Sequence, residues 1–352
     1  MASVAEVDHF SHLPDAIIHR IFSFLPFKDV VKTSMLSKQW RFAWTSTPYI
    51  DLSLRSEGVV PSISRALSLC TATKIEKFHL DANVISTEID WWLHFAAARK
   101  VEDFSLVFRE WHHFIPRLLW DSPWLVSLRV SKCLFPWNIT VHWPSLKKLC
   151  LQELLLKKDQ IMKILSGCPV LESLELRSMS MFACDLQIES RYLRELVIEA
   201  VRISSINISV PNLLSLRLWG ELIVGGVRLN GFENEDYPEL CDFDEKQYWP
   251  SQKEFYCVAN NLKRVEIAGF ELDNEKSKLL LALAKFLLEK AVGLEKMILD
   301  AELRMSCQGL PIDPHDLGDL HDVIQLQEGC RRASRNAEVI VNYHFNGLPH
   351  EL

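Results

Sequence analysis

The chain has 352 residues, 48% of them hydrophobic and 24% charged, and sets 39 basic against 46 acidic side chains for a net charge of −7. That length exceeds one ordinary domain, and the apolar and charged fractions exclude disordered, collagenous and membrane-embedded classes. With no basic surplus there is no electrostatic reason to expect a nucleic-acid or acidic-membrane partner, and neither is expected.

The chain opens on Met-Ala-Ser-Val-Ala-Glu-Val-Asp, with acidic residues and no basic flank or apolar run. This reads as neither a secretory nor a transit peptide, so the cytoplasm, the nucleus or both is the expected location. Leu13-Pro14-Asp15 marks a helix start, because proline supplies a helix-ready φ and Asp15 complements the positive end of the helix. Ile17, Ile18, Ile21, Phe22 and Leu25 then form a wide apolar stripe at helical spacing, ended by Pro26. A second short helix spans Asp29 to Met35 with Val30, Val31 and Met35 as its apolar residues. Ser37 can cap a third that sets Trp40 and Trp44 one turn apart. Three short helices in about 40 residues cannot enclose so many large apolar side chains, so part of the stripe must be covered by something else, and a partner protein is the preferred cover.

From residue 75 the chain repeats a pattern: an aliphatic residue, two variable ones, an apolar one, a variable one and an aliphatic one. Nine segments fit, opening at Ile75, Val101, Leu125, Leu146, Leu171, Leu193, Leu213, Leu262 and Leu294. The intervals are 26, 24, 21, 25, 22, 20, 49 and 32 residues, six of them inside the roughly 20 to 29 window of leucine-rich repeats. The fourth and sixth positions share one face of a short strand, and neighbouring units stack those faces into a common core. The expected fold is therefore α/β: a leucine-rich-repeat solenoid, with a curved parallel sheet and helical or irregular returns, preceded by the small three-helix module. Segment 159–166 offers a helical return, whereas the short units from Leu171 to Leu213 leave room only for irregular or extended ones.

The long interval contains an acidic stretch, Phe232 to Glu245, read as a solvated insertion. Beyond it, Asn274 to Lys290 reads as an amphipathic helix, and Val339-Ile340-Val341 with Tyr343 and Phe345 as a last strand. No apolar run reaches the roughly 20 residues a membrane helix needs, because Lys285, Glu289 and Lys290 interrupt the strongest candidate. Nine cysteines stand singly, with no Cys-x-x-Cys pair, which argues for reduced, mostly buried thiols and against a disulfide framework or a zinc site. No phosphate-cradling, dinucleotide, nucleophile-elbow or His-Glu-x-x-His motif occurs, and no catalytic residue, cofactor or metal is expected. The adjacent His112 and His113 splay apart on any regular element, so a structural or surface role is preferred for them.

Leu13-Pro14-Asp15, Ile18, Ile21, Phe24-Leu25-Pro26, Asp29-Val30-Val31, Leu36-Ser37-Lys38 and Trp40-Arg41 together resemble the F-box motif, most closely that of plant F-box/leucine-rich-repeat proteins. Trp249-Pro250, Leu262-Lys263-Arg264-Val265, Gly269-Phe270 and Leu294-Glu295-Lys296-Met297 resemble the FBD module that ends many of them. The resemblance implies this layout: an F-box at 8–50, a connector at 51–73, repeats at 74–228, the acidic insertion at 229–250, FBD-like repeats at 251–305 and a tail at 306–352. It also implies a non-catalytic receptor subunit of a ubiquitin ligase. The F-box would dock a Skp-family adaptor, and through it cullin, while the repeats hold an unknown protein substrate. A leucine-rich-repeat scaffold acting outside the ligase with a vestigial F-box is the alternative. By position, Leu13, Pro14, Ile17, Ile18, Ile21, Leu25, Pro26, Val30, Leu36 and Trp40 would form or support the adaptor surface. Residues three, five and seven of each repeat point away from the buried four and six, onto the concave face. The candidate substrate-facing residues there are Lys77, His79, Arg129, Lys148, Glu175, Arg177, Arg217, Trp219 and Arg264.

Overall fold

The computed structural model describes residues 13–84, 86–110, 113–156, 158–179, 185–199, 202–203, 205–219, 223–224, 261–271, 275–304 and 330–346. The chain divides into two compact units, Met1–Leu149 and Cys150–Leu352.

The first unit opens with three short helices, α1 (Asp15–Phe22), α2 (Phe27–Lys32) and α3 (Trp40–Ala43), with tight 3-10 turns at Thr33–Met35 and Trp44–Ser46. Pro14 and Pro26 stand at the N-caps of α1 and α2, where a missing N–H is harmless, and Asp15 and Asp29 fill the first turns. A miniature core gathers Ile18 and Phe22 from α1, Phe27 and Val30 from α2, and Trp40 and Trp44 beyond. Two edge-to-face ring pairs lock it, Phe22 with Trp40 at 5.7 Å and Phe27 with Trp44 at 6.3 Å between centroids.

A strand, β1 (Tyr49–Leu54), and a helix, α4 (Val60–Ser68), follow directly, so segment 51–73, read as a connector, already holds repeat structure. β1 pairs in parallel with β2 (Lys77–Ala82), setting Ile50 against Phe78 and Leu52 against Leu80. After β2 comes α5 (Thr87–Ala97), capped by Ser86, whose Oγ accepts the Glu88 N–H at 3.3 Å. β3 (Asp103–Phe108) and β4 (Ser127–Ser131) extend the parallel ladder in register, and β5 (Lys148–Gln152) spans the division between the units. Trp92 of α5 and Trp143 are fully buried, while Trp91 and Trp137 of the same returns are exposed.

In the second unit α6 (Lys158–Ser166) supplies the helical return expected at 159–166. Next come β6 (Ser173–Arg177), β7 (Asp185–Glu189), β8 (Glu195–Glu199), β9 (Arg202–Ile203), β10 (Ser205–Ser209), β11 (Ser215–Trp219) and β12 (Ile223–Val224). β6, β8 and β11 continue as parallel neighbours, while β7 with β10 and β9 with β12 form two small parallel sheets in the returns. The short units therefore carry extended returns, as their length requires. β11 pairs next with β13 (Arg264–Glu271), Leu216 opposite Val265, so whatever lies between them leaves the ladder unbroken. The acidic insertion itself falls outside the described residues. α7 (Glu275–Lys290), β14 (Lys296–Arg304) and β15 (Glu338–Asn346) complete the unit, with β15 the last strand expected from its alternating pattern.

The first, fourth and sixth positions of all nine units are buried. Position eight has a signature of its own. Lys132, Glu153 and Ser178 adopt φ of 53°, 48° and 48°, the left-handed conformation that turns the chain off its strand. In the unit that opens at Leu262 the same position is Gly269, with φ of 73°.

Candidate adaptor and partner surfaces

The small core of the F-box segment sorts its apolar residues into two groups. Ile18, Val30 and Trp40 are buried inside it and underpin a surface without forming one, while Leu13, Ile21 and Leu25 are half-buried and Pro14 and Pro26 exposed. Ile17 is 48% exposed and Leu36 is 70% exposed. Phe24, Met35 and Phe42, not assigned to the surface from sequence, are exposed at 73%, 87% and 68%. The F-box thus presents five large apolar side chains to solvent between Ile17 and Phe42, on a framework whose aromatic core holds them in place. The helical stripe could not show this, because Phe24 and Met35 lie in turns and have no helical face. Arg20 sits over the Phe24 ring at 5.2 Å, and the Gln39 Nε2–H donates to the Leu13 carbonyl at 2.6 Å, tying the entry of α1 to the approach to α3. On the solvent side of α2 the Lys32 ammonium donates to Asp29 at 2.8 Å, and that hydrogen bond holds the Asp29 carboxyl below its ordinary range.

The outward face of the strands carries candidate residues in both units. In the first, Lys77, Arg129 and Lys148 are exposed and His79 is half-buried. His79, Ser105 and Arg129 share one register row, and the His79 ring nitrogen Nδ1 lies 3.0 Å from Ser105 Oγ. In the second, four of the five candidates fall in two rows. Glu175, Val197, Arg217 and Glu266 are in register, as are Arg177, Glu199 and Trp219. Arg177 lies between two carboxylates, donating to Glu175 at 3.0 Å on its own strand and to Glu199 on the next. Burial favours release of its proton, but the hydrogen bond to Glu175 and the charges of Glu175 and Glu199 outweigh that and raise the guanidinium above its ordinary value. Arg217 donates to Glu266 at 2.8 Å in the same fashion. Arg177 and Arg217 are therefore committed to cross-strand pairs and Glu175 to a pair within its own strand, whereas Trp219 at the end of β11 is 44% exposed and Arg264 is exposed.

Three helices bearing exposed apolar anchors, followed by parallel strands at leucine-rich spacing, define an F-box protein with leucine-rich repeats, and the chain belongs to that family. An F-box domain model matches residues 10–50, and one described as the LRR repeats of the FBD-associated F-box protein At5g56370 matches residues 89–231. The F-box protein At5g03100 of Arabidopsis thaliana is 36% identical over 217 residues, 60% of this chain and 70% of its own length. The F-box/LRR-repeat protein At5g02910 of the same plant is 34% identical over 226 residues, 61% of this chain and 49% of its own. F-box/LRR-repeat protein 25, also from Arabidopsis thaliana, is 36% identical over 180 residues, 48% of this chain and 67% of its own. The chain thus spans about half the length of some curated relatives it matches and about two thirds of others.

Proposed function

We propose that the chain is the substrate-recognition subunit of a ubiquitin ligase built on a Skp-family adaptor and a cullin, acting in the cytoplasm, the nucleus or both. Its F-box docks the adaptor, its strand face holds a protein substrate, and it performs no chemistry itself. The observation that carries this reading is the group of exposed apolar side chains Ile17, Phe24, Met35, Leu36 and Phe42 on a module whose core is already complete without them. Apolar residues of this size, held rigidly in water, fit burial by a partner better than monomeric life. On the strand face, Trp219 and Arg264 are the preferred contacts, because Glu175, Arg177 and Arg217 pair with carboxylates or guanidinium groups of the fold.

Calorimetric titration of the full chain with purified Skp-family adaptor tests the reading. Binding at micromolar affinity or better by the parent, lost in Met35→Asp/Leu36→Asp, is the expected result. A well-folded parent that does not bind would overturn it and leave a repeat scaffold with a vestigial F-box.

A further inference from the structure

β1 is the first strand of its sheet, with β2 on one side and no strand on the other among the described residues. The Lys77 and Asn83 N–H groups donate to the Pro48 and Leu54 carbonyls, so the even-numbered backbone groups of this stretch face β2. Backbone groups alternate sides along a strand, and those of Asp51, Ser53 and Arg55 therefore point off the sheet. No other group among the described residues bonds to them. At its start the edge is closed, because the Tyr49 N–H donates to Thr47 Oγ1 at 3.2 Å.

A cavity of about 540 Å³ lies along this edge. It reaches Asp51 and Ser53, whose side chains stand on the outward face of β1, and also Ile63 and Ala66 of α4, the return that covers the inward face. A space that touches both sides of a strand lies at the edge of that strand, and β2 fills the other edge. α2 forms the opposite wall with Phe27, Lys28 and Val31. Val59, 42% exposed, adds to the apolar lining. The charges balance: Arg55 is paired with Asp81 at 2.8 Å, which leaves Lys28 against Asp51.

We propose that this groove takes an extended, uncharged polypeptide segment of a partner, which adds to the sheet beside β1 and seats apolar side chains between α2 and α4. Donors and acceptors repeating at strand spacing are matched by the backbone of another extended chain, and an open sheet edge is a template for it. The balanced charge of the groove suits a segment without charge, and its apolar walls suit aliphatic side chains at alternate positions. From Asp51 to Arg55 the edge runs about 13 Å at the strand rise, enough for about four residues of the segment. The proposal stands whether or not the F-box docks an adaptor.

The test is hydrogen exchange of the full chain, read by mass spectrometry over residues 49–56, with acetyl-Thr-Val-Thr-Val-Thr-amide as the probe. Saturable slowing of exchange at millimolar peptide or below is expected, weakened about tenfold or more in Val59→Asp, an exposed site whose change leaves folding intact. Two analogues, one N-methylated at the valines and one at the threonines, identify the contact. An added strand turns only one of these two sets of N–H groups toward β1, so one analogue should bind and the other should not. Equal effects of the two methylations would assign the groove to side chains alone. Slowing that grows with protein concentration in the absence of peptide would assign the edge to a second copy, and no saturable slowing would leave it to water. Each of these three results overturns the proposal.

Discussion

Two substitutions in the F-box separate what holds the module together from what it offers a partner. Met35 and Leu36 are 87% and 70% exposed, so replacing both with aspartate removes little from the folded chain, within about 0.5 kcal/mol at each surface site. Full burial of a Leu or Met side chain is worth about 1.5 to 3 kcal/mol, and the area these two have left to bury in a complex scales that to about 2 to 5 kcal/mol for the pair. Adaptor affinity should fall by about 30-fold to several-thousand-fold, with desolvation of the new carboxylates adding to the loss. Phe22 is the opposite case. It is fully buried against Trp40, so Phe22→Ala should cost about 3 to 5 kcal/mol of stability and weaken binding only by unfolding the module. Urea melts of the full chain and adaptor titrations on the same samples give both numbers. Ile21 and Leu25 are poorer probes, because both are half-buried and a charge there disturbs the core and the surface together. Unchanged affinity in Met35→Asp/Leu36→Asp, or a loss of stability matching that of Phe22→Ala, would refute the division of roles.

Three further outcomes follow from the repeats. Ser178→Gly should stabilise the chain by about 0.5 to 1 kcal/mol, because Ser178 is exposed with φ of 48° and glycine takes that conformation without a Cβ penalty; a lower urea midpoint would contradict this. Trp92→Phe should cost about 1 to 2 kcal/mol, since the fully buried indole donates its N–H to Ser64 Oγ at 2.9 Å, and Ser64 in turn donates to Glu88 at 2.8 Å; a melt that does not move would show α5 is no part of the cooperative core. Burial pushes the Cys70 thiol up to about 11 and the Cys168 thiol up to about 12, from an ordinary value of 9.0. Above pH 9 the unfolded chain loses thiol protons that the folded chain keeps, so their contribution to stability is complete below pH 9 and declines as pH rises through 11. Mass-spectrometric mapping at pH 8 should find both cysteines unalkylated in the native chain and alkylated in urea, and native alkylation would show that the sites open.

The strands were legible because their burial is periodic. Leu171, Leu174 and Leu176 sit at positions whose side chains must enter a shared core, and the same three positions recur in all nine segments. β1 escaped the scan for one reason: its first position is Thr47, fully buried, with its Oγ1 accepting the Tyr49 N–H at 3.2 Å, where the pattern asks for an aliphatic residue. The left-handed residue at position eight carries a signal in the sequence only at Gly269, with φ of 73°. Lys132, Glu153 and Ser178 have nothing in common as side chains, and only the backbone that leaves each strand forces their conformation. The exposed anchors Phe24, Met35 and Phe42 were missed because helical periodicity reports the buried side of a helix and says nothing of turns.

What the sequence could not supply is pairing between positions far apart in the chain. Arg177 and Glu199 are 22 residues apart, and Arg217 and Glu266 are 49 apart, yet each pair meets because parallel strands in register set the same repeat positions side by side. A count of charges on the strand face gives balance. The register shows that several of those charges neutralise one another within the fold, which removes them as recognition elements and leaves Trp219 and Arg264 more prominent. The interval between Leu213 and Leu262 makes the same point from the other side. β11 and β13 pair without a slip across 49 residues, so the ladder is specified by the few buried positions of each strand and tolerates what is inserted between them. Such a fold can vary its returns and its outward face while its core stays constant. The strand face and the loops at the strand ends are therefore where specificity can reside.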